Sequence, residues 1–239
     1  MSASGPEYNA EYGPSADRAR RLMRQRRRLR WPLWLGIFTL VLVVGVAGVV
    51  AWVIYAGAPA RAARLANRLG GKVTYYDDRP RDGRVLAISF AGVASFGDEQ
   101  LGQLTPWWWR FPEIKELDLT GSGISDAGLS HLAGAPFANL RLDRTAVTET
   151  GLARLAENAA LRSLSLIETQ TDDVGLIHLT HLPNLTTLYL DQTAITDAGL
   201  AELAKIETLR YISLGQTPAV TDEGVDALRE RKPDLKITR

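Results

Sequence analysis

Leu185-Thr186-Thr187-Leu188-Tyr189-Leu190-Asp191-Gln192-Thr193-Ala194-Ile195-Thr196-Asp197-Ala198-Gly199-Leu200 is the stretch that decides the fold of this 239-residue chain. Its pattern, L-x-x-L-x-L-x-x-T-x-I-T-D-x-G-L, returns every 23 to 26 residues toward the C-terminus. The first-position residues are Ile114, Phe137, Leu161, Leu185 and Leu209. The fourth and sixth positions are Leu117/Leu119, Leu140/Leu142, Leu164/Leu166, Leu188/Leu190 and Ile212/Leu214. Apolar residues two apart read as a short strand with one buried face.

The second half of each copy reads as a helix. Ser125, Thr148, Asp172, Thr196 and Thr221 stand where an N-cap oxygen is needed. Asp126, Glu149, Asp173, Asp197 and Asp222 follow, an acid that complements the helix dipole. Gly128, Gly151, Gly175, Gly199 and Gly224 recur three residues after the cap. Glycine is a poor helix former, so its recurrence predicts a backbone passing close by. Ser122, Thr145, Thr169, Thr193 and Thr217 each follow a sixth-position Leu by three residues. Their hydroxyls are expected to form a ladder tying one coil to the next. Val85, Ile88, Phe90, Phe96, Leu101 and Leu104 fit a degenerate first copy, and Leu235 opens a C-terminal stub.

With these residues laid out, the chain resembles the leucine-rich repeat family. It is most similar to the subclass with an I-T-D-x-G-L helix start, as in F-box-associated and ribonuclease-inhibitor-like proteins. It also resembles bacterial, planctomycete-type membrane-anchored proteins in which an L-G-G-K-V-x-Y segment, here Leu69 to Tyr75, leads into the first repeat. One departure is the rung after the sixth-position Leu, which is Thr or Ser here and Asn or Cys in the common repeat. The resemblance implies an α/β solenoid, with a parallel sheet on the concave face and helices on the convex face. Six repeats plus a stub are expected over 85–239, with binding rather than catalysis as the work of the domain.

A transmembrane helix is expected to precede the solenoid. Trp31 to Ala60 contains no charged residue. Twenty-four apolar residues from Leu33 rise roughly 36 Å as a helix, enough to cross a bilayer core of about 30 Å. Residues 31–56 are therefore assigned as a single membrane span, with Trp31, Trp34, Trp52 and Tyr55 near its ends. Eight arginines, Arg18 to Arg30, precede the span, against Arg61, Arg64, Arg68 and Lys72 after it. That bias places the N-terminus in the cytoplasm and the repeats outside it, at the cell membrane. The polar residues 1–30 read as a disordered basic tail whose arginines meet anionic lipid head groups rather than nucleic acid. The formal net charge is only +1, so the remainder of the chain is acidic overall.

Residues 57–84 read as a juxtamembrane capping helix and a strand. Ala62, Leu65, Ala66 and Leu69 share one side of that helix, with Arg61, Arg64 and Arg68 on the other. Trp107-Trp108-Trp109 falls in an insertion of about four residues in the first copy. Its rings either seal the end of the core or, for Trp108 and Trp109, expose a binding patch.

No catalytic constellation emerges. The chain has no cysteine, which excludes disulfides, Cys-zinc sites and a thiol nucleophile. It contains no P-loop, dinucleotide fingerprint or nucleophile elbow. His178 and His181 lie one helical turn apart but lack a carboxylate at ligand spacing. No cofactor, metal or enzymatic activity is expected. The candidate protein-binding residues are Arg141, Arg144, Glu168, Tyr189 and Tyr211 on the strand face, joined by Trp108 and Trp109. Asp118 is expected to pair with Arg141 and Arg144 with Glu168, while Tyr189 and Tyr211 lie diagonally on adjacent strands. An unknown protein partner is the leading expectation. A self-associating scaffold of the cell envelope is the alternative.

Overall fold

The computed structural model of the protein describes residues 58–75, 85–110 and 114–239. The tail 1–30, the apolar span 31–56 and the turn-rich loop 76–84 lie outside the described residues. No helix among the described residues is long and apolar enough to cross a membrane.

Helix α1, Ala58–Arg68, opens the described fold and ends at Gly70, whose φ of +88 closes its last turn. Strand β1, Lys72–Tyr75, then pairs antiparallel with β2, Val85–Ser89. From β2 onward the chain alternates strand and helix. The order is α2 Asp98–Leu104, a 3-10 helix Thr105–Arg110, β3 Glu116–Asp118, α3 Asp126–Leu129, β4 Asn139–Arg141 and α4 Glu149–Leu155. There follow β5 Ser163–Ser165, α5 Asp173–Leu179, β6 Thr187–Tyr189, α6 Asp197–Leu203, β7 Tyr211–Ser213, α7 Asp222–Arg231 and β8 Lys236–Thr238. Strands β2 to β8 are parallel and adjacent in chain order. This is an α/β solenoid.

The register explains the leucines. Ile88, Leu117, Leu140, Leu164, Leu188 and Ile212 face one another on neighbouring strands. Each is essentially inaccessible to water. The helical leucines Leu129, Leu152, Leu176 and Leu200 close the core from the other side. No coil could bury such a face alone, so each is stabilised by its neighbours. At the N-terminal end Ala62 and Ala66 of α1 join the core, while Arg61, Arg64 and Arg68 stay exposed. At the other end the stub makes a seventh parallel strand. It reaches register one residue early, with Lys236 opposite Tyr211.

The caps form as their residue types require. Ser125, Thr148 and Thr196 accept from the amide two residues on, Asp172 and Thr221 from the amide three residues on. The hydroxyl ladder does not form where it was expected. The hydroxyls of Ser122, Thr145, Thr169, Thr193 and Thr217 each donate to the carbonyl three residues back, within their own coil. A short side chain at a sharp turn reaches its own backbone first.

The acid after most of the caps makes the link between coils instead. Asp126 Oδ1 accepts from Thr148 N at 2.7 Å and its Oδ2 from Thr148 Oγ1 at 2.6 Å. Asp173 holds Thr196 in the same way at 2.8 and 2.6 Å, and Asp197 holds Thr221 at 2.9 and 2.7 Å. Asp98 starts this series on Ser125. Asp222 instead meets the guanidinium of Arg239. Each cap hydroxyl therefore donates to the preceding coil while accepting from its own helix.

The recurring glycine belongs to the same device. A methyl group on Gly151 would overlap the Asp126 carboxylate, on Gly199 that of Asp173, and on Gly224 that of Asp197. What passes close is mainly a side chain, not the backbone expected from the sequence. One joint lacks the device. Glu149 stands for Asp and Asp172 for Ser or Thr, so the Asp172 carboxylate caps its own helix at Gly175 and offers Glu149 no hydroxyl donor. In the same repeat Thr171 fills a fully buried position held elsewhere by Ile124, Val147, Ile195 and Val220. Its hydroxyl is satisfied by Thr169 Oγ1 at 2.8 Å.

Candidate functional site

The outer side of the sheet, the concave side of such solenoids, is built from the alternate strand positions that the leucines leave free. Not all of them face water. Asp143 is buried, and its Oδ1 accepts from Ile167 N at 3.0 Å and from the Ser165 hydroxyl. Asp191 Oδ1 takes Ser213 Oγ and Gly215 N in the same way, each at 2.8 Å. These are a second set of inter-coil ties. Their signal was a seventh-position Asp followed, one copy later, by a fifth-position Ser.

The expected pairs divide. Arg144 Nη2 meets Glu168 Oε1 at 2.9 Å across adjacent coils. That hydrogen bond, and then the charge of Glu168, raises the arginine's pKa further above its ordinary value. Arg141 does not pair with Asp118. It meets Asp143 Oδ2 at 3.5 Å, while Asp118 accepts from Ser89 Oγ and Thr120 N at 3.2 and 3.0 Å. Asp118 is thus turned into its own hydrogen bonds although it sits in register with Arg141.

Arg144, Glu168, Gln192 and Gln216 share a feature the sequence reading missed. All four have φ between 55 and 57, in the left-handed region. The conformation is costly for a residue with a Cβ. It persists because the amides of Arg144, Glu168 and Gln192 donate to carbonyls of the next coil at 2.8 to 3.0 Å. The available signal was glycine at the equivalent positions 92 and 121. The result is a row of exposed long polar side chains along one rim of the sheet.

Tyr189 and Tyr211 come together, with ring centroids 5.5 Å apart at an angle of 55°. Lys236 Nζ lies 5.9 Å from the centre of the Tyr211 ring. Trp108 is withdrawn from the surface set. It is 4% exposed, its Nε1 donates to His131 O at 3.0 Å, and its ring meets Phe137 edge-on. The indole is large and apolar, and its one donor finds a carbonyl inside, so burial wins. The side chain of Trp109 lies outside the described residues.

Between the charged pair and the tyrosines on one side and β3 on the other lies an open depression of about 350 Å³. Glu116, Asn139, Arg141, Ser163, Ile167 and Tyr189 line it. A second depression of about 460 Å³ adjoins it toward β1, sharing Glu116 and Asn139. Among the described residues no cluster of His, Asp or Glu is suited to hold a metal ion.

The leucine-rich repeat family model matches residues 114–133 and 181–204. No curated protein matches the chain. Among solved structures, internalin C2 of Listeria monocytogenes is similar at 24% identity and a TM-score of 0.48, over 65% of this chain and 62% of that one. A chain of the yeast Rad7 and Elc1 complex is similar at 19% identity and a TM-score of 0.45, over 60% of this chain and 39% of that one. This chain spans less than two thirds of the length of either.

Proposed function

We propose that this leucine-rich repeat chain is a membrane-anchored interaction module that docks a protein partner on its concave sheet. The observation that carries the reading is one face that gathers the Tyr189–Tyr211 pair, the exposed Arg144–Glu168 bridge and the central depression. Paired aromatics beside arginine are the usual content of an interface hot spot. Buried Asp143 and half-buried Asp191 tie neighbouring coils beneath them, so the face is presented on a cross-linked support.

The anchor rests on the sequence alone. The charge-free run over residues 31–56 and the arginines Arg18 to Arg30 support a single pass with the N-terminus in the cytoplasm and the repeats outside. Arg18 to Arg30 would sit on anionic lipid head groups. The I-T-D-x-G-L helix start and the Leu69 to Tyr75 segment support kinship with bacterial membrane-anchored repeat proteins. The self-association alternative loses part of its motive, because Trp108 is spent on the core.

A photo-crosslinking residue at Tyr189, compared with one at exposed Ala198 on α6, tests the docking reading in native cells. The expected result is a discrete protein adduct from Tyr189 alone. Adducts of equal yield from both positions, or from neither, would overturn it. Protease added to intact spheroplasts tests the orientation, and a protected repeat domain would invert it.

A further inference from the structure

The geometry points to a cation pocket: the central concave depression takes a lysine or arginine side chain from the partner, with Glu116 as its counter-charge and Tyr189 as its wall. The inference rests on the concave-face reading and deepens it. The argument is one of charge accounting. Two charged side chains line the depression, Glu116 and Arg141. Arg141 is already matched by Asp143, buried beneath it at 3.5 Å. Glu116 is half-buried and makes no hydrogen bond or ion pair among the described residues. Its neighbour on the strand, Asp118, is committed to Ser89 and Thr120. Lys72 and Lys115 line the adjoining depression, which also meets Glu116, and not this one. Among the charged groups that line this depression Glu116 alone has no partner, so a pairing cation gains most there.

The rest of the lining suits that occupant. Lysine and arginine have long apolar stems as well as charged heads. Ile167 and the face of Tyr189 offer surface for a stem, and an aromatic ring attracts the cation itself. Asn139 and Ser163 add a carbonyl oxygen and a hydroxyl that can accept from ammonium or guanidinium. An acidic side chain would have to face Glu116 while competing with Asp143 for Arg141. A volume of about 350 Å³ is at the small end for a ligand site and fits one long side chain with its flanking backbone.

The test uses the full chain in mild detergent. A displayed library of random peptides is panned on it, and the enriched peptide is measured against Glu116→Gln. Enrichment of lysine or arginine is expected, with roughly tenfold weaker binding to Glu116→Gln. A peptide in which citrulline replaces the enriched arginine should lose affinity on the native chain and nothing further on the variant. Glu116→Gln should fold, since Glu116 has no partner to lose, and an unchanged melting temperature checks this. Enrichment without basic residues, no enrichment, or binding indifferent to Glu116→Gln would overturn the pocket. Failure here with a Tyr189 adduct in cells removes the pocket and leaves the docking face. A Glu116-dependent peptide with no adduct in cells removes the docking reading instead.

Discussion

Two joints of the solenoid, one repeat apart, are built from the same positions and hold together differently. Between α5 and α6, Asp173 grips both the amide and the hydroxyl of Thr196, and Gly199 leaves room for the carboxylate. Between α4 and α5, Glu149 faces Asp172 and neither bond exists, although Gly175 still stands where the carboxylate would need room. On its helix side the second joint rests on apolar packing, while its strand side keeps Leu164 opposite Leu140 and the Asp143 ties to Ser165 and Ile167. Its helix also carries the exposed large apolar residues Val174 and Ile177. The comparison separates what the core supplies to every coil from what the acid adds to most of them.

Adding a methyl group at the two glycines should break the likeness most sharply. On α6, Gly199→Ala would drive a methyl into the Asp173 carboxylate, so the rung must break or the helix must shift. Overpacking costs about 1–3 kcal/mol and outweighs the roughly 1 kcal/mol that alanine gains over glycine in a helix. A net loss of up to about 2 kcal/mol is expected in denaturant melts. On α5, the atom nearest a methyl on Gly175 is the end of the flexible Leu152 side chain at 3.0 Å. Gly175→Ala should stay within about 1 kcal/mol of the native chain. Equal losses at both glycines would mean that the carboxylate is not what excludes the methyl.

Repairing the odd joint is the converse. Glu149→Asp together with Asp172→Thr supplies the missing acceptor and donor, with Gly175 already in place. A restored pair of charge-assisted bonds at a partly exposed joint should add about 1 kcal/mol. Neither single change should do so. The aspartate alone still faces a carboxylate, and the threonine alone still faces a glutamate one methylene too long. The double-mutant cycle should therefore show positive coupling. Strict additivity would show that the rung contributes nothing.

The repeat was legible because period and residue type act locally. Leu188 and Leu190 announce a buried strand face, and Thr196 announces a cap, without any knowledge of their neighbours. The rung was hidden because it joins Asp173 to a residue 23 positions away. Read one copy at a time, the acid is fully explained by the helix dipole, and that local reason masks the longer one. The joint departure of Glu149 and Asp172 was the visible trace of a partnership. Trp108 shows a choice that local pattern leaves open. A run of three tryptophans reads as either a core seal or a surface patch, and the central ring is taken inside by the His131 carbonyl of the next repeat and by Phe137, which opens the repeat after it. On the strand face, Arg144 and Glu168 were readable as a pair because neighbouring strands are in register. The left-handed turn that aims them outward was marked only by glycine in the same frame at 92 and 121.

The smallest effect expected is a pH dependence, and it reports on an intact rung directly. The hydroxyl of Thr221, and then its amide, lower the pKa of Asp197 below the ordinary 3.8. The folded chain therefore binds that proton less readily than the unfolded chain does. Stability from this rung is fully present above about pH 4 and is lost as pH falls through the lowered value. Thr221→Val removes the hydroxyl and keeps the amide, so the acid-side slope of the melting temperature should flatten below about pH 4. Thr221→Ser, which keeps the hydroxyl, should retain the slope. The cap that Thr221 also provides to Gly224 is lost in the valine variant, but an uncharged cap shifts the whole curve without tilting it. A parallel downward shift with the slope intact would assign Thr221 to capping alone and remove the carboxylate from the joint.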